Sequence, residues 1–262
     1  MPTAISPYPD QDGNGHGTAI ALNVFAVAPR CDVLGIQKTD VLDALEEAAN
    51  QADVITCSWG WPSEQWFPVV EKTLQDIVAE GKIVLFATGN GQQAWPATLP
   101  EVIAVGGVYA DASGALEASS YASGFVSSLY PPRRVPDVSG LCGQAPRGIY
   151  IVMPCPPGSP MDRSYGGRPF PDRDTTPPGD GWVVASGTSS AAPQVAGVVA
   201  LMLEKARANG RTLDAARARA ILEQTCRPVT TGSNAFGFPA YGHPNVAVGF
   251  GLVDAAAALS VV

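Results

Sequence analysis

Apolar positions along the chain follow two periods. Short, continuous apolar runs at Val33–Ile36, Asp53–Cys57, Lys82–Ala87 and Val102–Val108 read as buried strands. Between them the spacing turns helical. Val41 to Ala52 gathers Leu42, Leu45, Ala48 and Ala49 on one face, and residues 68–80 gather Val69, Val70, Leu74 and Ile77. Thr18 to Val27 is small and apolar with Asn23 its one strongly polar residue, which predicts a short buried helix. The run from Ser190 through Met202 is almost uninterruptedly apolar and predicts a helix hidden inside the protein. Arg211–Cys226 and Gly251–Leu259 complete the pattern as an amphipathic and a terminal helix. Strands that are apolar throughout, alternating with helices, predict an α/β fold. Its central sheet is mostly parallel, is covered by helices on both faces, and binds ligands beyond the carboxyl ends of its strands.

Length and composition fit one domain over residues 1–262, with 46% hydrophobic residues to build its core. Residues 131–181 differ in character, with Pro131-Pro132, Pro156-Pro157, Pro177-Pro178 and many glycines. The longest buried helix follows them, so this stretch reads as a surface excursion within the domain rather than a linker. The net charge of −8 and the lack of a basic run exclude nucleic acid and anionic membranes as expected partners. No apolar run reaches the ~18 residues of a membrane span, and no signal peptide opens the chain, so a soluble protein of unspecified compartment is expected. Five widely spaced cysteines without a Cys-x-x-Cys pair argue against zinc. Cys31 and Cys57 fall in or beside strand-like runs, whereas Cys142 and Cys155 flank a loop-rich segment and are candidates for a disulfide.

Candidate chemistry sits at the element ends. Ser58-Trp59-Gly60 and Thr88-Gly89-Asn90-Gly91 follow strands, and His16, one of two histidines, opens a helix. Gly187-Thr188-Ser189 opens the buried helix. A serine there is either an N-cap or a nucleophile, because unpaired N–H groups and the helix dipole favour an anion at that end. A nucleophilic serine needs a base and an oxyanion donor, which His16 and Asn90 can supply.

These motifs, in this order, resemble the subtilisin-like serine proteases (peptidase S8). His16-Gly17-Thr18 is similar to the family's histidine motif, Ala87-Thr88-Gly89-Asn90 to its oxyanion segment, and Gly187 to Pro193 to its nucleophile motif. Ala28-Pro29, Trp95-Pro96-Ala97, Pro100–Gly106 and Gly249–Ala255 add to the likeness, which spans about residues 16–260. The resemblance implies a three-layer subtilisin-like fold and a peptide or protein substrate. It assigns Ser189 as nucleophile, His16 as general base and Asn90 as oxyanion donor. Ser58, Trp59 and Gly60 would pair with an extended peptide, and Trp59 with Ala87, Thr88 and Gly89 would shape the pocket before the scissile bond. It further implies a cis peptide at Pro96. From His16 to Pro29 there is no room for the family's calcium loop, so no metal and no cofactor is expected.

The chain departs from the family pattern in one place that matters. The triad aspartate belongs on a strand well upstream of the histidine, and here only Asp10 and Asp12 precede His16, both in a loop. Neither follows an apolar strand, so another chain or N-terminal segment supplying the aspartate is an expected partner. The short stretch from Ile36 to Asp53 also removes part of the far wall of the acyl groove, unless the excursion replaces it. Three functions follow: an endopeptidase or peptide-processing protease, a catalytically weak or dead peptide-binding domain, and a peptide ligase or macrocyclase.

Overall fold

The computed structural model describes residues 12–37, 40–62, 65–144, 151–167 and 175–262. Along the chain run α1 (His16–Phe25), α2 (Val41–Gln51), β1 (Val54–Cys57), β2 (Trp61–Pro62), α3 (Pro68–Ala79), β3 (Ile83–Ala87), β4 (Ala94–Trp95) and β5 (Ile103–Ala110). There follow β6 (Leu116–Ala118), β7 (Phe125–Val126), β8 (Arg134–Val135), β9 (Val138–Leu141), β10 (Ile151–Pro154), α4 (Pro160–Tyr165), β11 (Trp182–Ala185), α5 (Thr188–Ala208), α6 (Ala215–Thr225) and α7 (Ala255–Val261).

The central sheet runs β1-β3-β5 with all neighbours parallel, adds β9 parallel to β5, and ends in β6 antiparallel to β5. All five residues of β3 are buried, so side chains alternate into two cores. Ile83, Leu85, Ala87, Ile103 and Val105 face α5 and α6, while Val84, Phe86, Val102 and Ala104 face α2 and α3. This is the predicted α/β architecture with helices on both faces. Aspartates cap three helices as their sequence positions suggest: Asp40 accepts from Leu42 N, Asp214 from Arg217 N and Asp254 from Ala257 N. Among the described residues no helix is long and apolar enough to cross a membrane.

Helix α5 lies at backbone contact with its neighbours because glycine stands where they cross. A Cβ on Gly140 of β9 would sit 2.6 Å from the Ala191 carbonyl oxygen, and one on Gly197 would sit 2.8 Å from Val27 Cβ. Beneath it, buried Asp137 accepts from Ala104 N at 2.7 Å and from the Arg133 guanidinium at 2.9 Å. That charge is satisfied inside the fold rather than left to a ligand.

Two expectations are corrected, and the open question of a Cys142–Cys155 bridge is answered. Val33–Ile36 forms no ladder: Val33 and Leu34 are exposed, and among the described residues β1 is paired only on its β3 side. An extended apolar run becomes a strand only beside another strand. The excursion is not confined to the surface either. Its Val138–Leu141 enters the sheet as β9, with Val138, Ser139 and Gly140 buried. The later part folds as the antiparallel pair β10–β11 around α4. Cys142 and Cys155 are both buried, and their sulfurs are not bonded to each other. The expected cis peptide at Trp95–Pro96 is present.

Candidate active site

Ser189 is the second residue of α5, and what fixes it begins with a proline. Pro193, inside the first turns of the helix, has no N–H to give the carbonyl four residues earlier, which is that of Ser189. Ser58 Oγ fills the vacancy and donates to the Ser189 carbonyl at 2.8 Å. In return Ser189 Oγ donates to the Ser58 carbonyl at 3.3 Å. The loop after β1 and the head of α5 are thereby clasped to one another at the candidate nucleophile.

A second clasp joins the loop after β3 to the same helix head. Thr188 N donates to Asn90 Oδ1 at 2.9 Å, Gly89 N donates to Thr188 Oγ1 at 3.1 Å, and Thr188 Oγ1 lies 3.1 Å from Asn90 Oδ1. Gly187 adopts φ 153°, and a Cβ there would lie 3.1 Å from Asn90 Nδ2. The asparagine side chain thus hangs over the Gly187–Thr188 turn, with its oxygen held by Thr188 and the residue itself exposed. Behind this turn Ser186 Oγ accepts from Gly143 N at 2.8 Å and lies 3.6 Å from Cys142 Sγ. Burial pushes the Cys142 thiol up from its ordinary value, so it stays a neutral packing group.

His16 opens α1, which packs along α5. Asn23 and Gln194 lock that packing: Gln194 Nε2 donates to Asn23 Oδ1 at 3.2 Å, and Gln194 also exchanges hydrogen bonds with Leu141 N and O. The imidazole is half-buried, and burial holds its pKa below 6.5 against the opposing pull of the Asp12 carboxylate. No hydrogen bond joins it to Ser189 or to a carboxylate among the described residues. Asp12 is occupied elsewhere. Its Oδ1 accepts from Asn14 N and Gly15 N, and its Oδ2 from Thr18 N and Thr18 Oγ1, at 2.7–3.1 Å. Partial burial alone would raise the Asp12 pKa, but these four bonds outweigh it and hold the carboxylate below its usual range. Asp12 therefore serves as the clamp on the start of α1. Asp10 lies outside the described residues.

The excursion reaches the histidine, which its sequence did not suggest. Met161 N donates to Asn14 O at 3.0 Å, and a Cβ on Gly15 would meet Ser159 Oγ at 2.8 Å and Met161 Cβ at 3.0 Å. An open cavity of about 530 Å³ results, lined by Asn14, His16, Pro160, Met161, Ser164 and Tyr165. Helix α4 begins at Ser159-Pro160, a capping serine before a proline at the first helical position, and lies beside His16.

The expected substrate-contacting residues form two walls. Ser58-Trp59-Gly60 leaves β1, with the Trp59 ring turned edge-on to Phe86 and Trp61 at centroid distances of 5.2 Å. Ala87-Thr88-Gly89 ends β3, with Thr88 buried and its Oγ1 donating to Ser123 O at 2.8 Å. Ser58, Gly89, Asn90 and Ser189 are thus brought to one end of α5, while His16 lies at the end of α1 that faces α4.

Comparison with known proteins places this arrangement. The profile of the Subtilase family matches residues 2–251. Subtilisin E of Bacillus subtilis (strain 168) is 26% identical over 231 residues, covering 78% of this chain and 49% of that protein. Alkaline elastase YaB of Bacillus sp. (strain YaB) is 27% identical over 216 residues, covering 74% and 46%. The chain spans about half the length of these curated relatives. Among solved structures, a lanthipeptide protease superposes with a TM-score of 0.66 at 23% identity, covering 96% of this chain and 77% of that one. Fervidolysin from Fervidobacterium pennivorans, a keratinolytic enzyme related to subtilisin, superposes with a TM-score of 0.64 at 20% identity, covering 95% and 36%. With the profile matching nearly its whole length and the fold and motif order in agreement, the chain belongs to the subtilase family.

Proposed function

We propose that the chain is a serine endopeptidase or peptide-processing protease acting through an acyl-enzyme on Ser189. In the first step Ser189 Oγ bonds to the substrate carbonyl carbon while its proton passes to His16. The oxyanion accepts a hydrogen bond from Asn90 Nδ2. Collapse breaks the C–N bond as His16 returns the proton to the departing amine, and water repeats the sequence on the ester. The observation that carries this reading is the Thr188–Asn90 bond: with Oδ1 engaged by Thr188 N, the amide nitrogen is the end left for a substrate oxygen. An extended peptide would pair with Ser58-Trp59-Gly60 by strand addition. Its departing half would run along the His16 cavity, because the base returns its proton on that side. A fluorophosphonate probe tests the nucleophile. Wild-type protein is expected to label and Ser189→Ala to stay blank; equal labelling of the two would sink the proposal.

Acid dependence follows from the burial of His16. Only the neutral imidazole accepts the serine proton, and burial disfavours the charged form, so the acid limb of kcat/KM is expected below pH 6.5. Asp12→Asn removes the one charge among the described residues that favours the imidazolium. It should move the limb lower still while the plateau changes by less than about tenfold. If Asp12 were the orienting carboxylate, the plateau would instead fall by about 10⁴. A pH–rate profile of the two proteins separates these outcomes.

A second reading rests on the same region. Among the described residues no carboxylate bonds to His16, Ser189 Oγ is turned to the Ser58 carbonyl, and β1 carries a partner on its β3 side only. These features suit a domain that binds peptides weakly cleaved or uncleaved until another chain or N-terminal segment adds a strand bearing the aspartate. Ligation or macrocyclisation, in which a peptide amine takes the place of water, is distinguished from hydrolysis by the mass of the product.

A further inference from the structure

One sulfur atom stands between the helix that carries His16 and the helix that carries Ser189. Met153 lies on β10, opposite Val183 of β11, and its side chain is buried among Ala19, Cys155, Val183 and Ala185. Its Sδ accepts from Asn23 Nδ2 of α1 at 3.2 Å and from Ser190 Oγ of α5 at 3.5 Å. Asn23 lies about two helical turns beyond His16, and Ser190 directly follows Ser189. The same asparagine donates to Ala19 O at 2.9 Å and accepts from Gln194 Nε2 at 3.2 Å. Ser190 and Gln194 stand one turn apart on α5, so the sulfur closes a circuit of side chains that joins the two helices.

The consequence falls on Ser190. Asn23 is 4% exposed, and Met153 and Ser190 are each 3% exposed, so bulk water does not replace a partner lost from this circuit. Among the described residues the Ser190 hydroxyl has no hydrogen bond other than the one to the sulfur. A buried helical serine without an outside acceptor turns back to the carbonyl three or four residues earlier. For Ser190 these carbonyls belong to Gly187 and Ser186. The Gly187 carbonyl already accepts from Ser190 N at 3.0 Å, and the Gly187–Thr188 turn is the one that Asn90 Oδ1 holds through Thr188 N. A hydroxyl turned back there would pull on the turn from which both Ser189 and Asn90 are aimed. The thioether is a weak acceptor, but on a flexible unbranched side chain it meets both donors at once, and leucine fills the same space with no acceptor at all.

From this geometry we infer that Met153 is a positioning residue: its sulfur keeps the Ser190 hydroxyl off the Gly187–Thr188 turn and thereby fixes Ser189 relative to the helix that carries His16. The inference rests on Ser189 and His16 acting as proposed above. It also gives the β10–β11 pair a task in the reaction, since that pair brings a side chain from the proline-rich stretch to the back of the nucleophile.

The test is a double-mutant cycle of Met153→Leu and Ser190→Ala, read by fluorophosphonate labelling rate and by hydrogen exchange of the amides of residues 188–191. Met153→Leu conserves volume, so a sulfur that only fills space predicts no change. We expect labelling to slow about tenfold, on the scale of a displacement well under 1 Å at the reacting group, with peptide KM within about twofold. The amides of the α5 head should exchange faster in the same variant. Ser190→Ala removes the hydroxyl that would turn back, and in that background Met153→Leu should change neither readout by more than about threefold, because two polar partners have been replaced together. Wild-type labelling and exchange in Met153→Leu would overturn the inference, as would an equal loss in both backgrounds, which would mean that the sulfur does not act through Ser190. If the wild-type protein fails to label, the catalytic proposal falls, and the exchange cycle alone decides whether Met153 positions the head of α5.

Discussion

Asn90→Ala is expected to lower kcat by about 10²–10³-fold with little change in KM, a scale established on subtilisin itself for loss of one such donor. The reason lies in when the bond is made. A substrate carbonyl is a weak acceptor until Ser189 adds to it, so an amide aimed at the developing oxyanion lowers the barrier more than it strengthens binding. The structure adds a condition. Asn90 is exposed, and what aims it is the bond from Thr188 N to its oxygen, with Thr188 Oγ1 beside it. Asn90→Asp keeps the acceptor for Thr188 but replaces the donor with a second acceptor carrying charge. It is expected to fall at least as far as alanine, although the turn at Gly187 stays intact. If Asn90→Asp kept near-normal kcat, Asn90 would be holding the Thr188 turn and some other group would be meeting the oxyanion. Steady-state kinetics on one peptide, with fluorophosphonate labelling rates as a second readout, separates these cases.

The contrast between what was and was not legible follows from how each feature is encoded. The parallel sheet was readable because β3 and β5 are buried on both faces, which forces continuous apolar runs, and α2 and α3 because one buried face imprints helical spacing. Ser189, Asn90 and His16 were readable as motifs. Their mutual geometry was not, since it is set by contacts between residues about a hundred positions apart, such as Ser58 with Ser189 and Asn90 with Thr188. The run at Val33–Ile36 misled because a strand is a property of two segments, and the sequence of one cannot show whether a neighbour pairs with it. The proline-rich excursion misled for the opposite reason. Its composition reads as loop, yet Val138–Leu141 pairs with β5 and Gly140 lets α5 settle on the sheet.

His16→Ala is expected to cost the chain, taken alone, only about 10²-fold in kcat. With a complete triad in subtilisin, removing the base costs roughly 2 × 10⁶, about as much as removing all three groups, whereas removing the aspartate alone costs roughly 3 × 10⁴. The base working without its carboxylate therefore accounts for the quotient of these figures, roughly 70. That is the situation of His16 among the described residues, where the Asp12 oxygens are filled by Asn14, Gly15 and Thr18, and burial of the imidazole outweighs the opposing pull of the Asp12 charge. A carboxylate does two things for such a histidine: it selects the tautomer whose free nitrogen faces the serine, and it stabilises the imidazolium once the proton arrives. Burial works against the second, because it disfavours the charged form that the transition state creates. A loss near 10⁶ on His16→Ala would show that a carboxylate does reach the imidazole, and Asp10→Asn, with a parallel loss near 10⁴, would identify Asp10 as its source. A loss near 10², raised toward 10⁶ when an aspartate-bearing strand peptide is added, would place the orienting carboxylate on a separate segment lying along the side of β1 that no described residue pairs with.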